Sequence, residues 1–236
     1  MKNAVLLLFG LIIPMPFCGT IGHKLPTQQL LTGMVQAAPK MTIPAIKKGS
    51  NHHIKQVIET EGGYQNHPYD FANKGVGTKY GITPLTYKKY TGKAATEIAM
   101  KSLTTNQAAS IYLQIWQEVN MDLVPDEVAG EVFDFYINTP KTCLQVMERI
   151  TGTTGSAKNW AISPQMADAI KRTKNFKAKL YEARRQYFLY RAAKYNPTDW
   201  HAFYRKIGKK GSSQNAQFLE GWLNRIANFC QAPQTL

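Results

Sequence analysis

Glu61 is the residue whose type and position suggest chemistry most directly. Ile54, Val57 and Ile58 share one helix face with Glu61, and the glycine pair at 62–63 should end that helix. Apolar neighbours and the negative end of the helix dipole both disfavour an ionised carboxyl group. A carboxylic acid that keeps its proton can protonate the leaving oxygen of a glycosidic bond. The alternative is a helix-terminal glutamate that points into water.

The residues around and after Glu61 form part of an ordered set of four short motifs. They read E-G-G-Y at 61–64 with T-K-Y-G-I-T at 78–83, V-F-D-F-Y-I-N at 132–138, I-S-P-Q-M at 162–166 and G-W-L-N-R at 221–225. In this order they resemble glycoside hydrolase family 108, whose members act as lysozyme-like N-acetylmuramidases of the bacterial wall. The sequence departs from the family pattern at His67, where the family has Asp, and in a longer loop at 71–74.

The resemblance implies a set of catalytic residues. Glu61 would be the general acid, and peptidoglycan glycan strands would be the substrate. The order of Glu61, Asp70 and Thr78 also resembles phage-type lysozymes, in which Asp70 would stabilise positive charge on the sugar or orient the attacking water, and Thr78 would help hold that water. A turn aspartate and a loop hydroxyl are the structural alternatives, and the sequence leaves inversion and retention open.

Two groups of residues are candidates for substrate binding. Asp134 and Asn138 fall on one polar stripe of a helix and would contact sugar or orient Glu61, although a solvated helix face gives the same pattern. Tyr64, Tyr69 and Tyr80 could stack on sugar rings, because each has a flat apolar face and a polar tip. Packing in the core is the alternative for the tyrosines.

Other catalytic classes have weaker support. The five histidines, at 23, 52, 53, 67 and 201, form no H-E-x-x-H motif, so the sequence predicts no metal site and no cofactor. A cysteine peptidase would need Cys143 activated by a residue such as His201, but the apolar residues after Cys143 favour a packing role in a helix.

The elements that must position these residues are helices. Thr83-Pro84 and Ser163-Pro164 are typical helix starts, Thr104 or Thr105 begins another, and helical patterns continue near 127–138, 175–194 and 213–229. Sustained strand alternation is missing, and only the stretch 69–82 could form a small β-hairpin. The sequence therefore predicts a mostly α, lysozyme-like fold with seven or more helices.

The chain also divides by composition. Lys2 and the apolar run that follows make residues 1–37 an export segment, so the protein would work in the periplasm or outside the cell. Residues 38–50 resemble a linker and 51–140 would form the catalytic half. The resemblance makes 141–230 a peptidoglycan-binding helical half. Outside the cytoplasm Cys143 and Cys230 could pair, and two buried free thiols are the alternative.

The net charge of +14 predicts a polyanionic partner. Residues 38–140 hold ten basic and ten acidic residues, whereas 141–236 hold 17 basic and five acidic residues, a net +12. This assigns binding of anionic cell wall to the C-terminal half. A row of bases at Lys177, Arg184 and Arg191 supports a second hypothesis, a non-catalytic module for the wall or another polyanion. Export argues against nucleic acid. No apolar run is long enough for a stable membrane span, and we expect a monomer.

Overall fold

The computed structural model describes residues 50–66, 73, 75–195 and 198–231, with side chains to Phe229. Within these ranges the chain forms eleven α-helices and one small sheet, so the predicted fold class is confirmed. The helices are α1 (Ser50–Glu61), α2 (Pro84–Thr91), α3 (Glu97–Ser102), α4 (Thr105–Glu118), α5 (Asp126–Asn138), α6 (Pro140–Thr151), α7 (Ser156–Asn159), α8 (Pro164–Arg172), α9 (Phe176–Arg191), α10 (Asp199–Lys206) and α11 (Leu219–Gln231). Short 3-10 turns occupy Met121–Leu123 and Ser213–Phe218.

The predicted helix starts are confirmed by their capping hydrogen bonds. The hydroxyl groups of Thr83 and Ser163 accept the backbone N–H of Thr86 and Met166, as expected for the residue before a helical proline. Thr104 forms a full capping box at the start of α4. These caps fix where each helix enters the core.

A two-stranded hairpin follows α1. Strand β1 (Tyr64–Gln65) pairs antiparallel with β2 (Thr78–Lys79), in the register Tyr64 to Lys79 and Gln65 to Thr78. The prediction placed a hairpin within 69–82, which contains β2 but misses β1. A tight turn follows β2, in which Lys79 and Ile82 exchange backbone hydrogen bonds across Tyr80 and Gly81. Both central residues have positive φ, 53° and 72°, which a turn of this geometry requires.

The hydrophobic core is continuous across the predicted boundary at 140 and 141. Tyr112 and Phe133 from the first half and Leu144, Tyr187 and Ile226 from the second belong to one buried cluster. Helices from both halves meet in it, with α5 packed on α6 and α11. The two halves therefore support each other's packing. No helix of the described ranges is long and apolar enough to cross a membrane.

The predicted row of surface bases on α9 is wrong. Arg184 is only 2% exposed and Arg191 only 9%, while Lys177 pairs with Glu131 at 2.7 Å. Because residues seven apart lie on one face of a helix, the spacing predicts a row of bases exposed to solvent. The same stripe faces α5 and α6 instead, and it cannot form a continuous binding surface for phosphates.

Candidate active site

Glu61 is the last residue of α1, and its carboxyl group sits in a half-enclosed position. The next residue, Gly62, adopts φ 72° and donates its N–H to Ile58 at 3.2 Å, which ends the helix. The carbonyl of Gly62 then accepts the N–H of Tyr80 at 3.0 Å, so the turn after β2 is tied to the end of α1. The Glu61 side chain keeps 19% of its surface exposed, enough for a ligand to reach it.

The turn at Tyr80 and Gly81 forms one wall around the Glu61 carboxyl group. Tyr112 from α4 donates its hydroxyl to the carbonyl of Tyr80 at 2.8 Å. A Cβ atom on Gly81 would lie 2.7 Å from Cγ and Cδ of Glu61 and 2.6 Å from the Tyr112 hydroxyl. Only glycine therefore permits this close approach.

Arg225 is the direct polar partner of Glu61. Its Nη2 donates to Glu61 Oε1 at 2.6 Å, and its Nε donates to the two carboxylate oxygens of Asp134 at 3.0 and 3.2 Å. The second oxygen of Glu61, Oε2, has no hydrogen-bond partner among the described residues. Arg225 thus holds the carboxyl group by one oxygen and leaves the other for a ligand.

Asp134 anchors this arrangement from beneath. It is completely buried, and it also pairs with Arg184 of α9. Burial alone would raise the pKa of Asp134, but the charges of Arg184 and Arg225 and their hydrogen bonds outweigh burial and hold this pKa below its usual range. Asp134 is therefore an anion that fixes two arginines, one of which reaches Glu61.

The ion pair changes the electrostatics expected from sequence. The guanidinium of Arg225 lies against the Glu61 carboxyl group at the C-terminal end of α1. Two carboxyl groups, those of Glu61 and Asp134, therefore face two guanidinium groups, those of Arg184 and Arg225. The sequence does not reveal this cation beside Glu61, because Arg225 lies 164 positions away along the chain.

The remaining candidates occupy different places. Thr78 lies in β2, half-buried, and Tyr80 lies in the turn beside Glu61. Tyr64 donates its hydroxyl to Val76 O at 3.0 Å and to Glu97 at 3.3 Å, so it supports the hairpin and α3. Asp70 and Tyr69 lie outside the described residues.

Asp134 and Asn138 do not form an open sugar-binding stripe. Both oxygens of the Asp134 carboxylate accept hydrogen bonds from arginines. These contacts allow Asp134 to orient Glu61 through Arg225, and they leave no carboxylate oxygen of Asp134 free for a sugar. Asn138 donates its side-chain amide to the backbone carbonyl of Asp134 at 2.7 Å, a local bond within α5.

Three neighbours of the site were not predicted from the sequence, namely Arg225, Arg184 and Tyr112. Arg225 had a signal, because it ends the G-W-L-N-R motif at 221–225. Arg184 was assigned to the wrong surface, and Tyr112 had no signal beyond its helical apolar pattern.

Cys143 lacks the properties of a nucleophile. It is a free thiol, fully buried, whose sulfur donates to Val132 O at 3.6 Å. Burial raises the pKa of the Cys143 thiol well above its usual value, so the reactive thiolate is not formed. The side chain of Cys230 lies outside the described residues. The described residues contain no cluster of His, Cys, Asp or Glu that could hold a metal ion.

Residues 54–139, which contain Glu61, match the family model described as Glycosyl hydrolase 108. A match to this family implies a glycosidase that degrades peptidoglycan.

The fold is also found in a solved structure. The structure of Brucella abortus SagA is similar, with a TM-score of 0.54 and 21% sequence identity, covering 80% of this chain and 100% of that chain. No curated protein sequence matches this chain significantly. The likeness to SagA shows the fold alone, whereas the family match bears on function.

A substitution at Gly81 tests the wall around Glu61. We expect Gly81→Ala to displace the Glu61 carboxyl group and to lower the rate of any reaction in which Glu61 takes part by about tenfold or more, because misplacement of a reacting group by about 1 Å can cost up to ~100-fold. The crowding should also lower stability by about 1–3 kcal/mol. Gly92→Ala is the control, since Gly92 has φ 69° but open space around it. Equal activity losses in both variants would contradict the proposed contact.

Proposed function

We propose that the chain is an exported N-acetylmuramidase that hydrolyses the β-1,4 bond between N-acetylmuramic acid and N-acetylglucosamine in peptidoglycan. The observation that carries this proposal is the Glu61 carboxyl group, which lies within the matched residues 54–139. Arg225 holds one of its oxygens, and the other has no hydrogen-bond partner in the part of the chain that the structure describes. A general acid needs a fixed orientation and an oxygen that is free to pass a proton to the leaving group.

In this mechanism Glu61 Oε2 carries the proton to the glycosidic oxygen. The protonated carboxyl group can still accept the Arg225 hydrogen bond through Oε1, so the contact survives in both protonation states. After proton transfer, the guanidinium stabilises the carboxylate that is left. Arg225 therefore acts as a positioning residue that also favours the product of the acid step.

Asp70 and Thr78 are proposed to serve the second half of the reaction. Asp70 would stabilise positive charge on the sugar or orient the attacking water, and Thr78 would help hold that water. Thr78 supports this role by its place in β2, which leads directly into the turn beside Glu61. The separation of the Glu61 and Asp70 carboxyl groups would decide between inversion and retention.

Mass analysis of digested peptidoglycan tests the function. Purified walls treated with the protein should yield fragments with new muramic acid reducing ends. New glucosamine reducing ends or freed peptides would contradict a muramidase. Walls that bind the protein but release nothing would instead favour the non-catalytic binding module.

The export and wall-binding proposals rest on charge and on the N-terminal segment. Lys171, Arg172, Lys174 and Lys179 are exposed around the end of α8 and the start of α9. Such exposed bases support attachment to anionic wall through the C-terminal half, with an affinity that falls as salt rises. An exported enzyme meets its wall substrate in the periplasm or outside the cell, which agrees with this arrangement.

A further inference from the structure

Tyr80 adopts a backbone conformation that is costly for its side chain. Its φ is 53°, in the left-handed region, and it shares a two-residue turn with Gly81, whose φ is 72°. Turns in which both central residues have positive φ favour asparagine followed by glycine. A bulky residue with positive φ is an outlier, whereas asparagine is tolerated there. A tyrosine therefore stands where the local backbone energy favours a smaller residue.

Two hydrogen bonds from different helices hold Tyr80 in this conformation. Its N–H donates to the carbonyl of Gly62 after α1 at 3.0 Å, and its carbonyl accepts the hydroxyl of Tyr112 from α4 at 2.8 Å. Tyr112 is completely buried. Burial and then the charge of Glu61 raise the pKa of the Tyr112 hydroxyl well above its usual value, so Tyr112 keeps the proton that it donates. Strained residues of this kind persist where their surroundings fix them, and they cluster at functional sites.

The Tyr80 side chain is half-buried, and its polar tip is not used inside the protein. Among the described residues no group forms a hydrogen bond with the Tyr80 hydroxyl, and this oxygen is not buried. The Tyr64 hydroxyl, in contrast, donates to Val76 O at 3.0 Å. The ammonium group of Lys79 lies 5.2 Å from the centroid of the Tyr80 ring, within the range of a cation–π contact. The ring therefore has a neighbour inside the protein and a hydroxyl group that a ligand can reach.

The Tyr80 ring is attached to the chain directly beside the Glu61 carboxyl group. The next residue, Gly81, comes so close that a Cβ atom there would lie 2.7 Å from Cγ and Cδ of Glu61. Consecutive Cα atoms are about 3.8 Å apart, so Tyr80 branches from the backbone next to this contact. The same Cβ atom would lie 2.6 Å from the Tyr112 hydroxyl. The group that holds Tyr80 therefore also borders Glu61.

We propose that the Tyr80 ring is a platform for a sugar ring of the substrate beside Glu61, and that Tyr112 is the positioning residue that holds Tyr80 in place. A tyrosine ring offers a flat apolar face to the C–H groups of a sugar and a hydroxyl to its polar substituents. Asparagine would relieve the strain at this position but would offer no such face. The inference rests on the proposed function, because it takes a peptidoglycan glycan strand as the substrate.

Calorimetric titration with a soluble oligomer of alternating N-acetylglucosamine and N-acetylmuramic acid tests the platform. The full chain carries Glu61→Gln in every titration, so that bound oligomer is not cleaved. Adding Tyr80→Asn should raise the Kd about fivefold or more, the scale of a lost aromatic contact. Its melting temperature should equal or exceed that of the Glu61→Gln parent, because asparagine tolerates positive φ. An unchanged Kd with a lower melting temperature would show that the ring only packs against the core, and would overturn the proposal.

Tyr112→Phe in the same parent tests the positioning role. The variant keeps the edge contact with Phe133 at 6.0 Å but loses the hydrogen bond to Tyr80. We expect the Kd to rise about threefold or more, the scale of one net hydrogen bond. Combination with Tyr80→Asn should add nothing further, because Tyr112 acts through Tyr80. Tyr136→Phe is the control and should bind like the parent, since Tyr136 is also buried and donates its hydroxyl to Trp160 O, at a residue with φ 59°. Additive losses in the double variant would overturn the positioning role.

Cleavage measurements separate this inference from the proposed function. In proteins that retain Glu61, Tyr80→Asn should raise KM for release of muramic acid ends more than it lowers kcat. If the wild type releases these ends but both tyrosine variants bind the oligomer like their parent, the inference is overturned and the function stands. If Tyr80→Asn weakens oligomer binding but no ends are released by the wild type, the function fails and the platform stands. Absence of both binding and cleavage would overturn both.

Discussion

Glu61→Gln should lower the rate of peptidoglycan hydrolysis by at least about 100-fold while the protein stays folded. General acid catalysis contributes about 10²–10⁴-fold, and glutamine has no proton of suitable acidity to give to the leaving oxygen. Its amide oxygen can still accept the Arg225 hydrogen bond, and Arg225 remains paired with Asp134. The measurement is the initial rate of muramic acid end release, together with the melting temperature.

Glu59→Gln is the matched control for this experiment. Glu59 lies on the same helix and is exposed, and among the described residues its one ion pair is a long one with Lys55 at 3.7 Å. The control should keep wild-type activity, since exposed pairs of this kind contribute about 0–1 kcal/mol and touch nothing in the site. A Glu61→Gln variant that cleaves at nearly the wild-type rate would refute the assignment of Glu61.

The sequence predicts the helices and the position of Glu61 because both depend on local signals. Hydroxyl caps at Thr83, Thr104 and Ser163 and the glycine after Glu61 act within a few residues, and each appears at the expected place. The hairpin was only partly placed, because its strands have two residues each and show no alternation.

The environment of Glu61 could not be predicted in the same way. Whether a base on α9 or α11 faces solvent or a buried carboxylate depends on how distant helices pack, and periodicity does not report this. Arg184 and Arg225 are two of the 17 basic residues of 141–236, yet they form ion pairs with Asp134 and Glu61 of the other half. Some basic residues of the C-terminal half therefore pair with acidic residues of the other half. The excess of positive charge on the surface of the C-terminal half is smaller than its net charge of +12 suggests.

Asp134→Asn should cause the largest loss of stability of any change considered for this protein. The substitution preserves shape but leaves Arg184 and Arg225 as buried cations, one of them without any carboxylate partner. Breaking a buried ion pair from one side costs about 3–5 kcal/mol. Denaturant unfolding at neutral pH measures this cost. Asp126→Asn on the same helix is the control, because Asp126 is 78% exposed and pairs only with His53, so its loss should stay within about 1 kcal/mol.

The pH dependence of the same two proteins shows whether the Asp134 charge itself is responsible. Because its pKa in the folded state is lowered, Asp134 stabilises the wild type above the unfolded value of about 3.9 and loses this contribution as pH falls toward the folded value. Unfolding free energy should therefore decline below about pH 4 in the wild type and decline less in Asp134→Asn. If the unfolding free energies of the two proteins fall in parallel as pH is lowered, the stability loss in Asp134→Asn comes from altered packing. We expect the unfolding free energies of the two proteins to converge as pH falls. That result would identify Asp134 as a buried anion that holds Arg225 against the Glu61 carboxyl group.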